Sequence, residues 1–205
     1  MRKYAKLACL ISGLFFLSSC AWTTLNSIRN PKFITKKYKK ILIVAPFSDL
    51  SLRQTTEGAF NAQLGLAGVT AIPSVQVFPP LKPYSKEEIE SVLRENNIDA
   101  VLVVALQNYW NSQSYIPKSS STRGSATLYG NSLSYQTYTQ EYGGYYISKP
   151  RVTFEIRLYD TKTGEIVWLA TSFTRGNAFA NYNTLANSLA QAAVKRLIRE
   201  NVVAH

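Results

Sequence analysis

Two continuous apolar runs dominate the hydrophobic pattern of the chain. Residues 40–47 and residues 98–106 consist mainly of aliphatic side chains, without regular alternation of polar and apolar positions. A run of this kind predicts a strand that is buried on both faces of a sheet. Residues 69–78 are also largely apolar, but Pro73 interrupts them, and this predicts an irregular edge strand because proline cannot donate to a neighbouring strand.

Apolar residues at helical spacing lie between these strands. Ser51 with Gln54 and Ser85 with Glu88 have the spacing of a capping box, in which two side chains satisfy backbone donors at the start of a helix. We therefore predict one helix over about residues 52–65 and a second helix that starts at Ser85. Strands joined through helices imply right-handed crossovers and parallel pairing.

The carboxy-terminal part of the chain predicts a hairpin and a helix. Polar and apolar residues partly alternate in residues 151–161 and 165–174, on either side of the turn sequence Asp-Thr-Lys-Thr-Gly. Apolar residues at helical spacing over 185–197 predict a last helix that packs on the sheet. The predicted order is β-α-β-α-β, a long hairpin insertion, and then β-β-α. This order defines a mixed α/β fold with a mixed sheet and helices packed on it.

The first residues have the layout of a secretion signal. Arg2, Lys3 and Lys6 precede an apolar run over residues 7–17, which is too short to cross a hydrocarbon core of ~30 Å. We predict that residues 1–19 form a signal peptide that is removed from the mature protein.

The residues directly before Cys20, which are Leu17, Ser18 and Ser19, resemble the lipobox of bacterial lipoproteins. The resemblance implies that Cys20 becomes the first mature residue and carries acyl chains such as palmitate, so that the protein is anchored in a membrane. In lipoproteins of this kind an aspartate after the cysteine causes retention at the inner membrane. Ala21 therefore implies an outer-membrane anchor with the domain in the periplasm. The alternative is an ordinary signal peptide followed by an unpaired cysteine.

Basic residues are concentrated after the predicted anchor. The chain carries a net charge of +11, and many of its cations lie in residues 20–39, which lack sustained periodicity and which we predict to be a lipidated tether before a domain over 40–205. Cations beside a lipid anchor can bind an anionic leaflet. The alternative is that these cations belong to a solvated tether that does not bind the membrane. Nucleic acid is not expected as a partner of the basic chain, because the predicted location is the envelope. The predicted membrane-proximal cations are Lys36, Lys37, Lys39 and Lys40.

An insertion over about residues 109–148 differs in composition from the rest of the chain. It holds eight of the thirteen tyrosines together with many serines and threonines, and Gly130-Asn131 is a plausible hairpin turn. Tyrosine offers a rigid contact area with a polar tip, which is typical of binding loops. The alternative is a polar loop that partly covers the sheet. The candidate interaction surface consists of Tyr129, Tyr135, Tyr138, Tyr142 and Tyr145.

Three segments in this order resemble a group of envelope proteins. The segments are the opening strand over 41–47, the helix-to-strand entry over 97–104 and the hairpin over 158–168. They resemble the TolB amino-terminal domain, the curli secretion lipoprotein and the activator lipoproteins of penicillin-binding proteins. The curli protein inserts hairpins into the outer membrane, but residues 134–142 lack the clean apolar face that a membrane strand needs.

The chain has few of the residue types that usually carry catalysis or bind metals. The single histidine is His205, and Cys20 is the only cysteine beyond the signal, so we expect no catalytic residue, no metal and no cofactor. Asp99 and Asp160 are interpreted as turn residues. The resulting hypothesis is a non-enzymatic outer-membrane lipoprotein that acts as an adaptor or assembly factor for an unidentified envelope protein. The alternatives are a peptidoglycan or polysaccharide binder and, less favoured, a subunit of an oligomeric secretion pore.

Overall fold

The computed structural model describes residues 20–129 and 132–204, and for residues 122–129 and 132–138 it describes the backbone alone. The predicted signal peptide therefore lies outside the described residues. The strands are β1 (Ala21–Arg29), β2 (Lys40–Val44), β3 (Thr70–Pro73), β4 (Ala100–Ile116), β5 (Ser119–Tyr129), β6 (Ser132–Tyr142), β7 (Tyr145–Asp160) and β8 (Ile166–Gly176). The α-helices are α1 (Leu50–Leu66), α2 (Ser74–Val77), α3 (Lys86–Glu95) and α4 (Tyr182–Arg199), and Pro31–Phe33 form a 3-10 turn.

The strands build one mixed sheet and one separate hairpin. Six strands pair in the order β1-β8-β7-β4-β2-β3, and β5 pairs only with β6. Strand β2 is parallel to both β3 and β4, whereas the pairs β4–β7, β7–β8 and β1–β8 are antiparallel. The mixed α/β fold predicted from the sequence is confirmed.

Helices α1 and α4 cover one face of the sheet. Phe60 and Leu64 of α1 and Leu189 of α4 are fully buried against Leu102 and Ile156 of the central strands. Burying such side chains contributes about 1.5–3 kcal/mol each, so this layer stabilises the fold. Among the described residues, no helix combines the length and the apolarity that a bilayer-spanning segment requires.

The helix starts agree only in part with the sequence. Ser85 and Glu88 form the predicted capping box at α3, and Asn181 caps α4 through the backbone amide of Thr184. Helix α1, however, starts earlier than predicted, because Asp49 rather than Ser51 accepts the amide of Leu52 at 3.0 Å. The edge segment is also different from the prediction, since β3 ends at Pro73 and the helical turn α2 follows it.

The predicted tether is wrong. Ala21–Arg29 form the edge strand β1, which pairs with β8 along its whole length. Two of its inward positions, Thr23 and Ser27, carry small polar side chains, and Thr23 hydrogen-bonds to Ser188 of α4 at 2.9 Å. These polar residues hide the apolar alternation expected of a strand. The domain therefore begins directly after Cys20.

The fourth strand is longer than predicted. The apolar run ends at Leu106, but β4 continues through a bulge between Leu106 and Asn108 as far as Ile116, because β7 pairs with it over this whole length. The polar residues after Leu106 are compatible with a strand here because their side chains are exposed or only partly buried. The sequence predicted a projecting hairpin in the insertion, but it did not predict that β4 and β7 themselves extend into this projection.

Candidate interaction surface

The two longest strands extend beyond the sheet. Arg151 and Arg175 form the last pair between β7 and β8. Beyond this pair, β4 and β7 pair only with each other, over residues 111–116 and 145–150. We call this two-stranded segment the ribbon. It leads into the β5–β6 hairpin, so the predicted insertion is a projecting hairpin rather than a loop that covers the sheet.

Two glycines shape the junction between the ribbon and the β5–β6 hairpin. Gly143 and Gly144 have φ values of +94° and +77°, which L side chains rarely adopt. A Cβ atom on Gly143 would lie 2.0 Å from the carbonyl oxygen of Pro117, so a larger residue does not fit without movement of the backbone. The amide of Gly144 donates to Ile116 at 2.7 Å, which closes the end of the ribbon.

Exposed tyrosines gather at this junction in two pairs. The rings of Tyr115 and Tyr146 lie 5.0 Å apart, and those of Tyr142 and Tyr145 lie 6.1 Å apart at an angle of 80°. The hydroxyl of Tyr145 donates to that of Tyr142 at 3.1 Å, and this hydrogen bond raises the pKa of Tyr145. All four side chains are exposed, and Tyr146 is the most exposed of them at 68%.

The structure brings together only part of the predicted tyrosine surface. Tyr142 and Tyr145 are in contact, whereas the side chains of Tyr129, Tyr135 and Tyr138 lie outside the described residues, so their predicted role stays a prediction. Sequence reasoning missed Tyr115 and Tyr146 as surface residues. The signal that identifies them is the pairing of β4 with β7, which places the two residues opposite each other.

A second exposed aromatic group lies on the sheet face opposite α1 and α4. Trp22, Arg175, Arg151 and Trp110 are successive cross-strand partners on β1, β8, β7 and β4, so their side chains share one face. Arg175 lies 4.8 Å from the centre of the Trp22 ring, and Trp110 stacks on Phe173 at 5.9 Å. We call this surface the open face.

The four predicted basic residues do not lie near Cys20. Strand β1 runs the height of the sheet from Cys20, so its nine residues separate the two ends by about 30 Å. Lys36 contacts the carboxylate of Asp160 and Lys37 is exposed at that far end. Lys39 and Lys40 follow there, and their backbone amides donate to Asp99 at 2.9 and 3.0 Å. The prediction that these lysines lie beside Cys20 is therefore corrected.

Asp160 is a buried carboxylate at this far end. One oxygen accepts the amides of Lys162 and Thr163 at 2.9 and 3.0 Å, which fixes the β7–β8 turn as predicted. The other oxygen accepts the hydroxyl of Tyr38 at 2.8 Å and contacts the ammonium group of Lys36. Burial, together with this hydrogen bond, raises the pKa of Tyr38 well above its ordinary value. The group joins the residues after β1 to the end of β7.

Asp160 is expected to link stability to acidity. Burial raises its pKa, but the hydrogen bonds from Lys36 and Tyr38 outweigh burial and lower it from 3.8 to about 2. Because the folded pKa is the lower one, its contribution is complete above the unfolded value and is lost as the pH falls toward 2. Between about pH 6 and about pH 2, we expect the stability advantage of the wild type over Asp160→Asn to shrink by about 1–2 kcal/mol, with allowance for the half-exposed Lys36. Urea unfolding of both proteins measures this, and a constant difference would contradict it.

Glu57 is a second buried carboxylate, and its role is structural. It lies in α1 and accepts the amides of Ala45 and Val75 at 3.1 and 3.0 Å, the hydroxyl of Ser74 at 2.6 Å and the guanidinium of Arg53 at 3.1 Å. Its oxygens thereby join α1 to the end of β2 and the start of α2. This role could not be predicted from the sequence, because glutamate on a helix is most often exposed.

The comparisons with known proteins show a shared fold. No family model and no curated protein matches the sequence. The PelC dodecamer from Paraburkholderia phytofirmans matches at 14% identity over 89% of this chain and 99% of that chain, with a TM-score of 0.50. A point variant of the same dodecamer matches at 15% identity over 85% and 98%, also with a TM-score of 0.50. Lipoprotein GNA1162 from Neisseria meningitidis matches at 20% identity over 78% of this chain and 99% of that chain, with a TM-score of 0.43.

Proposed function

We propose that this chain is a non-enzymatic, lipid-anchored accessory protein of the bacterial envelope, which binds another envelope protein through the tyrosines at the end of the ribbon. The observation that carries the proposal is the projection itself. The ribbon and the β5–β6 hairpin extend by up to about 60 Å, since residues 111–129 rise ~3.3 Å each. The fold shared with PelC is consistent with such a role.

Cys20 and the start of the domain support the proposed location. Cys20 is exposed, and the amide of Asn177 donates to its carbonyl at 3.0 Å, so the acylated residue continues the β1–β8 ladder. The ribbon leaves the sheet at the same end, because Ala21 pairs with Gly176 next to the last β7–β8 pair. In this proposal the anchor lies in the outer membrane, the domain lies in the periplasm, and the ribbon starts beside the membrane.

The absence of catalysis is part of the proposal. The two buried carboxylates, Glu57 and Asp160, already accept hydrogen bonds from this chain on both of their oxygens. A general acid or base needs a proton-transferring group within reach of a substrate, and neither carboxylate is accessible. Both therefore serve the fold.

A photo-cross-linking amino acid in place of Tyr142 tests the proposed contact. Tyr142 is 64% exposed at the ribbon junction, so a partner bound there lies within reach of the probe. We expect one dominant adduct with a foreign envelope protein in intact cells, identified by mass spectrometry. The matched control places the probe at Leu81, which is 87% exposed and distant from the ribbon in the chain, and should give no such adduct.

The other outcomes of this experiment would replace the proposal. A ladder of adducts between copies of the chain would favour an oligomeric assembly, which is the third hypothesis from the sequence. The same foreign adduct from Tyr142 and from Leu81 would show that the ribbon is not the binding surface. The absence of any protein adduct would contradict a protein partner.

Binding to peptidoglycan or polysaccharide is a second candidate function. The pair Tyr115–Tyr146 favours it, because two exposed neighbouring rings can stack on sugars. If it is correct, the protein should sediment with purified sacculi in moderate salt, and Tyr115→Ala with Tyr146→Ala should abolish sedimentation. Leu81→Ala serves as the control for a change in exposed apolar area. Loss of sedimentation by salt alone would indicate nonspecific charge attraction instead.

A further inference from the structure

The open face lies where acyl chains on Cys20 would emerge. Side chains alternate along a strand, and Cys20 precedes Trp22 by two positions on a ladder that continues through the bond from Asn177 to the Cys20 carbonyl. Cys20 and Trp22 therefore point to the same side of the sheet. Phe179, which follows Asn177 by two residues, is 73% exposed at this end as well.

The residues nearest Cys20 on the open face are aromatic and basic. The first cross-strand row holds Trp22, Arg175, Arg151 and Trp110, and the second row holds Thr24, Phe173, Thr153 and Asn108. None of these eight described residues is acidic. Both tryptophans are exposed to a large extent: Trp22 is 61% exposed and Trp110 is 42% exposed.

This composition fits the boundary between headgroups and acyl chains. Tryptophan is enriched there because its ring is apolar and its N–H is polar, and arginine binds lipid phosphates. The missing tether strengthens the argument, because β1 starts at Ala21 and gives the domain no length of chain with which to stand away from the membrane.

We infer that the open face lies against the phospholipid leaflet that holds the acyl chains of Cys20, with Trp22 and Trp110 in the headgroup region and Arg151 and Arg175 against lipid phosphates. The inference rests on the acylation of Cys20 that the proposed function includes. It assigns the membrane orientation of the domain. On β7, Tyr145 is six residues from Arg151 and lies on the side of the open face, so a partner that contacts the Tyr142–Tyr145 pair binds at the membrane surface. Tyr115 and Tyr146 lie on the opposite side of the ribbon, which then faces the periplasm.

Tryptophan emission in brominated vesicles tests this orientation. The acylated protein is reconstituted into vesicles of phosphatidylethanolamine and phosphatidylglycerol, with or without dibrominated acyl chains, which quench nearby indoles. Two of the three tryptophans lie on the open face and Trp168 is fully buried, so we expect emission to fall about twofold. The double variant Trp22→Phe with Trp110→Phe retains only Trp168 and should show no fall.

A third protein controls for the face. Tyr146→Trp added to the double variant puts the probe on the opposite side of the ribbon. Tyr146 lies an even number of residues from Val152 on β7, and Val152 is buried on the helix side of the sheet. We expect its emission to be unaffected by bromination. Equal quenching from Tyr146→Trp would show that the whole ribbon enters the bilayer and would overturn the assignment of one face.

The remaining outcomes separate this inference from the proposed anchor. Protein that floats with the vesicles but is not quenched would overturn the orientation and leave the anchor intact. Protein that does not float would overturn the anchor. Protein that floats unquenched and forms oligomers that Trp110→Ala dissociates would assign the open face to a second copy of the chain rather than to lipid.

Discussion

Replacing Cys20 by serine is expected to transfer the protein from the membrane fraction to the soluble periplasmic fraction. Each buried CH₂ of an acyl chain contributes ~0.8 kcal/mol, so two or three chains hold a protein almost permanently and their loss removes nearly all of the affinity. The fold should survive, because Cys20 is exposed and its contact with Asn177 uses the backbone carbonyl. Fractionation of cells followed by immunoblotting measures the change.

The design must separate loss of lipid from loss of processing. An unprocessed signal segment would itself hold the Cys20→Ser protein in a membrane. The wild type and the Cys20→Ser variant are therefore also made with residues 1–19 replaced by an ordinary cleavable secretion signal. Incorporation of a labelled fatty acid provides the positive control and should depend on Cys20. Continued membrane retention of the processed Cys20→Ser protein would contradict lipid anchoring.

Replacing Glu57 by alanine is expected to lower the free energy of unfolding by about 3–5 kcal/mol, because it leaves a buried charge and buried amides without their acceptor. Glu57 is fully buried and its oxygens accept hydrogen bonds from Arg53, Ser74, Ala45 and Val75. Urea unfolding followed by the emission of the buried Trp168 measures the loss. Glu57→Gln should lower the free energy of unfolding by less than Glu57→Ala does. The side-chain oxygen of glutamine can still accept the hydrogen bonds from Ala45, Arg53 and Ser74, which all donate to Oε1 of Glu57.

A matched variant on an exposed helix provides the reference. Glu90 in α3 lies 3.9 Å from Lys86, and both side chains are largely exposed, so Glu90→Ala should change the stability by less than about 1 kcal/mol. Similar small losses for Glu57→Ala and Glu90→Ala would show that the hydrogen bonds of Glu57 do not hold α1 against β2 and α2.

The elements whose signals are local could be predicted from the order of residues alone. The capping box of Ser85 and Glu88, the turn that starts at Asp160 and the helical spacing of Leu185 and Leu189 are all found in the structure. These features depend on residues within four positions of each other, and their hydrogen bonds and apolar faces are therefore encoded in a short stretch of chain.

The course of β1 and the length of β4 depend on long-range strand pairing. The residues of β1 lack a clean apolar pattern, and their conformation is fixed by the ladder to β8 and by bonds such as that of Ser27 with Glu200 at 2.6 Å. The polar end of β4 is likewise a strand because β7 pairs with it. In both cases the partner lies far along the chain, so no local pattern could reveal it.

The candidate site shows the same division. Composition alone selected the tyrosine-rich insertion, and it identified Tyr142 and Tyr145, which the structure brings into contact. The open face could not be predicted, since Trp22 and Trp110 stand far apart in the sequence and become neighbours in a row only through the pairing of four strands. The chemistry of each residue was fixed by the sequence, and strand register decided which residues act together.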